Sequence, residues 1–184
     1  MRVIAGVYRG RRLLPPPGLT ARPTTDRVKE AMFGAIQFDI PGSRVLDAFA
    51  GSGALGIEAL SRGAAQVDFV EKDPACLRVL EENLKKVGAA NARVYKGDVF
   101  RLLPGLGEYD IVLLDPPYDA GLYEDVLKAL DGGALKDGGI VVMECRKSFD
   151  LLDMFGYNLT KFSLTKRKNY GDISVAFLSY GERA

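Results

Sequence analysis

From Arg44 onward, short apolar runs alternate with helical patterns, and this alternation restricts the fold more than any other feature of the chain. Residues 44–47, 66–71, 92–96, 109–115 and 139–144 read as strands, with helices starting near Gly53, Pro74, Val99 and Gly121. Strand–helix–strand repetition needs crossovers, so these five strands are expected to form a parallel sheet with helices on both faces. The end of the chain breaks the pattern. After a short helix near 149–155, residues 158–165 and 173–180 read as two further strands, joined only by Lys166-Arg167-Lys168-Asn169-Tyr170-Gly171-Asp172. That connection is too short for a crossover and requires an antiparallel hairpin. The expected fold is therefore α/β, with a mostly parallel seven-stranded sheet ending in an antiparallel hairpin.

The segment before the sheet is of a different kind. Residues 3–7 and 11–14 read as a small β-hairpin about Tyr8-Arg9-Gly10, followed by a linker at Pro15-Pro16-Pro17-Gly18. Thr24-Thr25-Asp26 then caps an amphipathic helix to about residue 38, with Val28, Met32 and Ile36 on its apolar side. We expect one domain: residues 1–20 as a basic hairpin extension and linker, and 21–184 as the α/β core. A chain of 184 residues can bury such a core without staples. No stretch is long and apolar enough to span a bilayer, and Arg9, Arg11 and Arg12 stand where a secretory signal needs its apolar stretch. Cys76 and Cys145 sit in apolar patterns and read as reduced core residues, so the chain is expected to be cytoplasmic. It holds no histidine, which excludes His-dependent triads and HExxH zinc sites and leaves chemistry that carboxylates, backbone groups or a cofactor can run. Residues 1–30 hold seven Arg or Lys (Arg2, Arg9, Arg11, Arg12, Arg22, Arg27, Lys29) against Asp26 and Glu30, whereas the rest of the chain holds 18 basic and 22 acidic residues. This basic arm suits a polyanion; a solvated surface of no special use is the plainer reading.

Asp47-Ala48-Phe49-Ala50-Gly51-Ser52-Gly53-Ala54-Leu55-Gly56 follows a strand and opens a helix, with G-x-G-x-x-G at 51–56. Asp47 argues against a dinucleotide, because a carboxylate at that strand end repels a pyrophosphate. It suits S-adenosylmethionine, which carries a sulfonium and an ammonium. Glu71 ends the second strand, 18 residues after Gly53, where a carboxylate can accept two ribose hydroxyls, with Lys72 beside it. Asp98 follows the third strand and can take the adenine amino group, with the Val99 amide near the ring; it also reads as a plain helix cap. Three acids at the ends of successive strands point to a ligand at that edge of the sheet.

Asp115-Pro116-Pro117-Tyr118 leaves the fourth strand. Two prolines fix φ and remove two N–H donors, so the turn is stiff and acceptor-rich. The Asp115 carboxylate and the Pro116 carbonyl match the two N–H groups of an exocyclic amine. Holding both aims the nitrogen lone pair at a methyl donor, so catalysis is orientation and electrostatics rather than strong base. Tyr118 offers a face on which an extruded base can stack. Standing alone, the tetrapeptide is equally a rigid turn.

These residues resemble a known family. The parallel sheet closed by a hairpin is similar to the Rossmann-like class I methyltransferases, and the stretches 47–62 and 115–118 resemble motifs I and IV of the RsmD-type enzymes. Arg22-Pro23-Thr24-Thr25-Asp26-Arg27-Val28-Lys29-Glu30, the N-terminal 2–12 and Tyr170-Gly171-Asp172 match as well, so the resemblance covers essentially the whole chain. It implies S-adenosylmethionine as cofactor and N2 methylation of guanine 966 in 16S ribosomal RNA of the small subunit. It further implies cofactor binding by Asp47, Gly51, Gly53, Glu71 and Asp98 (Phe49, Ala50, Ser52, Lys72 and Val99 lying among them). Asp115, Pro116 and Tyr118, framed by Pro117, would hold the guanine amine. Arg22 and Thr24 would lie beside the site, and Arg2, Arg9, Arg11 and Arg12 would contact RNA. No metal or membrane partner is expected, and the chain is read as a monomer. Lys161, Lys166, Arg167 and Lys168 either extend the RNA surface or form a solvated hairpin loop. The rivals are a DNA adenine-N6 methyltransferase, whose amine fits the same clamp; a protein glutamine methyltransferase, which resembles N-P-P-Y instead; and a non-catalytic binding module.

Overall fold

The computed structural model describes residues 1–16, 26–117, 122–149, 159 and 161–181. Seven strands form one sheet: β1 (Arg44–Asp47), β2 (Gln66–Glu71), β3 (Ala92–Lys96), β4 (Tyr109–Leu114), β5 (Leu135–Arg146), β6 (Phe162–Tyr170) and β7 (Ile173–Tyr180). Their spatial order is β3-β2-β1-β4-β5-β7-β6. The first five are parallel, while β7 runs antiparallel to β5 and β6 to β7. The order reverses between β1 and β4, the switch point at which open α/β sheets bind ligands.

Strands covered on both faces need apolar residues at successive positions, and β4 shows the rule from Ile111 to Leu114. Ile111 and Leu113 join a cluster with Met32, Phe33, Ile57 and Leu80; Val112 and Leu114 join one with Val99, Val126, Leu127 and Leu130. Helices α1 (Asp26–Ala35), α2 (Ala54–Ser61) and α3 (Pro74–Val87) therefore cover one face, and α4 (Val99–Leu102) and α5 (Leu122–Asp131) the other. Helix α3 starts where its sequence signals: Pro74 is in the first turn, and Asp73 accepts from the N–H groups of Ala75 and Cys76 at 2.8 Å. Among the described residues no helix is long and apolar enough to cross a membrane.

Three elements differ from expectation. Strand β5 begins at Leu135, ahead of the expected start at Gly139; between Tyr109–Leu135 and Ile111–Ile140 the pairing with β4 shifts register, so Gly138 and Gly139 sit in an irregularity inside the strand. Strand β6 runs on through the basic run to Tyr170, leaving Gly171-Asp172 as a two-residue turn. Lys166 and Lys168 stay exposed on this edge strand, where charge discourages pairing with another chain.

The N-terminal extension turns back on itself, but the two expected strands reduce to one antiparallel bridge, Arg2–Arg12. Val3, Gly10 and Leu13 still donate across the extension, to the carbonyls of Arg11, Val3 and Met1, but the N–H groups of Ile4, Ala5, Val7 and Tyr8 go to α2. Ile4 and Ala5 donate to the Glu58 carboxylate at 2.8 and 3.0 Å, Val7 to the Ser61 carbonyl at 2.8 Å, and Tyr8 to Ser61 Oγ at 2.9 Å. Glu58 is fully buried and also meets Arg62 at 2.8 Å and the buried Lys29 at 3.3 Å. Burial pushes the Lys29 ammonium down, against the pull of Glu58. A buried charge this well paired is costly to disturb. The helix expected near 149–155 falls mostly outside the described residues.

Candidate active site

Strand β1 ends at Asp47, and the chain then crosses both neighbours before α2 begins. Ala48 N–H donates to the Leu113 carbonyl of β4 at 3.1 Å, and Ala50 N–H to the Val70 carbonyl of β2 at 3.0 Å. The glycine-rich loop is thus fastened across the switch point itself. Gly53 lies at φ +80°, and a side chain there would strike Leu80. A Cβ on Gly56 would stand 2.3 Å from the Phe69 ring, so α2 can approach the sheet only because Gly56 has none.

That close approach brings the Gly56 N–H to 2.8 Å from Asp47 Oδ2. Asp47 is 1% exposed. Burial pushes its carboxyl up to about 7, eased by the Gly56 N–H and reinforced by the negative charge of Glu71. An acid so placed is short of positive charge and suited to receive a cation. Glu71, half-buried at the end of β2, ties the loop down: Oε2 accepts from Gly51 N–H at 2.7 Å, and Oε1 from the N–H groups of Lys72 and Asp73, both at 2.8 Å. Carboxylate oxygens carry about four lone-pair sites, and with three taken one remains open to a hydroxyl.

Asp98 does act as the cap of α4, accepting from Phe100 N–H at 3.1 Å. Lys72 Nζ lies 3.1 Å from its other oxygen, bridging the ends of β2 and β3 and holding the Asp98 carboxyl below its usual range. Val99 is buried, and Phe49 packs half-buried against the α5 face. Asp47, Phe49, Ala50, Gly51, Ser52, Gly53, Glu71, Lys72, Asp98 and Val99 thus gather along one edge of three adjacent strands.

Asp115 follows Leu114 on β4, half-buried, with Pro116 buried and Pro117 exposed. Since β4 adjoins β1, the Asp115 turn stands directly beside the glycine-rich loop. On its other side, Tyr123 of α5 donates its hydroxyl to the Glu144 carbonyl at 3.1 Å and lays its ring 4.6 Å from that of Phe149. Tyr118, Arg22 and Thr24 lie outside the described residues.

The four arginines of the extension divide. Arg2 pairs with Asp26 at 2.8 Å, and Arg11 donates to the Val87 carbonyl at 2.8 Å beneath Tyr8. Arg9 and Arg12 are exposed. The tip of the extension rests on the last turn of α2, away from the glycine-rich loop, and its open end lies beside the first residue of α1. The C-terminal basic residues divide too: Lys161 pairs with Asp131 at 3.0 Å, Lys166 sits over Phe177, Lys168 is exposed, and Arg167 turns inward.

Sequence reasoning missed Asn83. Fully buried, it donates to the carbonyls of Ser52 (2.9 Å) and Leu14 (3.0 Å) and accepts from Leu14 N–H at 2.8 Å, joining the glycine-rich loop to the extension. The signal was present: Asn83 is polar on the apolar stripe of α3, between Leu80 and Val87. The same holds for Glu58 within ALGIEALS. A cavity of about 360 Å³, lined by Asp39, Ser43, Asp110, Lys136 and Ile140 among others, lies at the opposite edge of the sheet and contains none of these site residues.

A family model described as "Conserved hypothetical protein 95" matches residues 1–179. The chain is 42% identical over 146 residues to "Ribosomal RNA small subunit methyltransferase D" of Escherichia coli (strain K12), covering 78% of this chain and 74% of that one. It is 37% identical over 182 residues to "Putative rRNA methyltransferase YlbH" of Bacillus subtilis (strain 168), covering 96% and 97%. Among solved structures, "Putative methyltransferase yhhF from Escherichia coli" superposes with a TM-score of 0.85 at 37% identity, covering 100% of this chain and 99% of that one.

Proposed function

The chain belongs to the RsmD family, and from that membership we propose that it methylates ribosomal RNA of the small subunit with S-adenosylmethionine, at the exocyclic N2 of a guanine in 16S RNA. The observation that carries this reading is the seam between β1 and β4. There the buried Asp47 carboxylate and the Asp115-Pro116-Pro117 turn end neighbouring strands, joined by the Ala48–Leu113 hydrogen bond, which supports one as the cation's partner and the other as the amine's.

S-adenosylmethionine supplies a methyl group on a positively charged sulfur. Asp47 would provide the negative charge for the cofactor's cationic portion, Glu71 would accept a ribose hydroxyl, and the loop from Phe49 to Gly53 would shape the floor. Lys72, Asp98 and Val99 would serve the adenine. Asp115 and the Pro116 carbonyl accept the two N–H groups of the acceptor amine and turn its lone pair toward the methyl carbon. The bound cofactor would supply its methyl group to that nitrogen, the carbon–sulfur electron pair staying on sulfur, and the proton shed by the nitrogen would pass along its hydrogen bond to Asp115 and from there to water. Pro117 stiffens the turn, and Tyr118 stacks on the base. Arg9 and Arg12, exposed on the extension, are the arginines best placed to meet phosphates, whereas Arg2 and Arg11 hold the extension in place. Arg22 and Thr24, by family resemblance, border the site.

Incubation with methyl-labelled cofactor and under-methylated small subunits, followed by digestion of the RNA, tests the assignment. N2-methylguanosine at one position is the expected product. Label in duplex DNA, in protein or at another nucleotide would overturn it.

A further inference from the structure

Arg167 belongs to a run of basic residues, yet its guanidinium is spent within the protein. From β6 its Nη2 donates to the carbonyls of Lys147 (3.0 Å) and Phe149 (2.9 Å), and its Nε to Ser174 Oγ (3.2 Å). Ser174 is fully buried and donates in turn to Asn169. The two carbonyls belong to the short segment that leaves β5. The N–H groups there are already used, Lys147 to Asp172 at 2.8 Å and Phe149 to Arg146 at 3.0 Å. One planar fork with several fixed donors therefore pins that segment to the closing hairpin.

The location of this segment gives it meaning. Strand β5 adjoins β4, so the residues after β5 stand beside Asp115, on the side away from the glycine-rich loop. Phe149 is half-buried, with its ring tilted 47° against Tyr123. Tyr123 is held by Glu144, and burial, with Cys145 and Asp115 nearby, raises its hydroxyl. An aromatic surface thus borders the clamp on the acceptor side.

We propose that Arg167 is a positioning residue for the acceptor: it fixes the segment after β5 so that Phe149, backed by Tyr123, forms the wall against which the base is held beside Asp115. This rests on the reading of the protein as an RNA methyltransferase. Lysine cannot replace the arginine fully, because a single ammonium does not reproduce the fork.

The test compares wild type with Arg167→Ala, Arg167→Lys, Phe149→Ala and the Arg167→Ala/Phe149→Ala double variant. KM and kcat are measured on under-methylated small subunits, and cofactor affinity by calorimetry. Loss of an aromatic base contact should raise KM for the subunit roughly tenfold in Phe149→Ala and in Arg167→Ala. Cofactor Kd should stay within about twofold, Arg167→Lys should recover only part of the loss, and the double variant should be no worse than the worse single one, since both act through one wall. Should Arg167→Ala fail to fold, Phe149→Ala decides, because it leaves the arginine's hydrogen bonds in place. Wild-type KM in Phe149→Ala overturns the inference, as does an Arg167→Ala variant that loses cofactor affinity as much as it gains KM. A wild-type protein that binds cofactor but methylates no RNA overturns the functional reading, and the inference with it.

Discussion

Cofactor binding should release a proton from Asp47. Burial pushes its carboxyl up to about 7, yet in the proposed role it must face the cofactor's cation as an anion. Binding below that pH must therefore expel the proton, and apparent affinity falls by 1 + [H⁺]/Ka: about tenfold at pH 6 and about a hundredfold at pH 5, relative to the ionised site. Titration calorimetry in two buffers of different ionisation enthalpy reads the proton directly. About nine-tenths of a proton should leave per cofactor at pH 6 and about half at pH 7. The range should stop near pH 7.5, because an α-amino group loses its own proton at about 7.7–8.0. Asp47→Asn should bind weakly, with no release across that range. The same shift acts on the cofactor-free fold. A carboxyl raised in the native state lets the native form hold the extra proton between about 4 and 7, so this contribution is present below pH 4 and lost as pH rises through 7. Three pKa units amount to roughly 4 kcal/mol, a slope that Asp47→Asn should remove. Near-zero proton release by wild type at pH 6, or equal release by Asp47→Asn, would refute the reasoning.

Asp115→Ala should bind cofactor normally while kcat falls about a hundredfold or more, measured by single-turnover methyl transfer. Tyr118→Phe should remain active, whereas Tyr118→Ala should lose roughly 1–3 kcal/mol of base binding; equal loss in both would assign the role to the hydroxyl. Glu58→Ala leaves the buried Lys29 without its carboxylate and should cost about 3–5 kcal/mol, read as a lower urea midpoint and faster proteolysis within residues 1–16. Gly56→Ala forces a methyl group onto Phe69 and should cost about 1–3 kcal/mol, with cofactor affinity lost alongside, by thermal melts with and without ligand.

The sheet was legible because its periodicity is local. β1, β2, β3 and β7 run over the expected residues, each bounded by loop or turn residues and apolar throughout or in alternation. The β5 start and the β6 end were not legible, because both are set by a neighbour: β4 accommodates the glycines of β5, and β7 pairs with residues 166–170, whose charge alone reads as loop. The extension was misread for a related reason. Its alternation suits a ladder, but Glu58 and Ser61, more than fifty residues away, take the N–H groups of residues 4, 5, 7 and 8. The expected carboxylates do stand at or just after the ends of β1, β2, β3 and β4, because the loop patterns that follow those strands are local. Asn83 shows in the sequence only as a polar residue on an apolar stripe, and Arg167 only as one of a basic run, because neither pattern tells which backbone groups a side chain will meet.

Asn83 has a consequence for redesign. One amide grips both the segment after the extension and the glycine-rich loop, while Glu58 and Lys29 clasp the extension from below. The first sixteen residues cannot be exchanged as a module. A graft from a relative with another RNA target would have to carry its own counterparts of these three side chains, or the new arm would loosen the cofactor loop as it arrived. The unit of exchange is a surface with its anchors, drawn from three separate stretches of the chain.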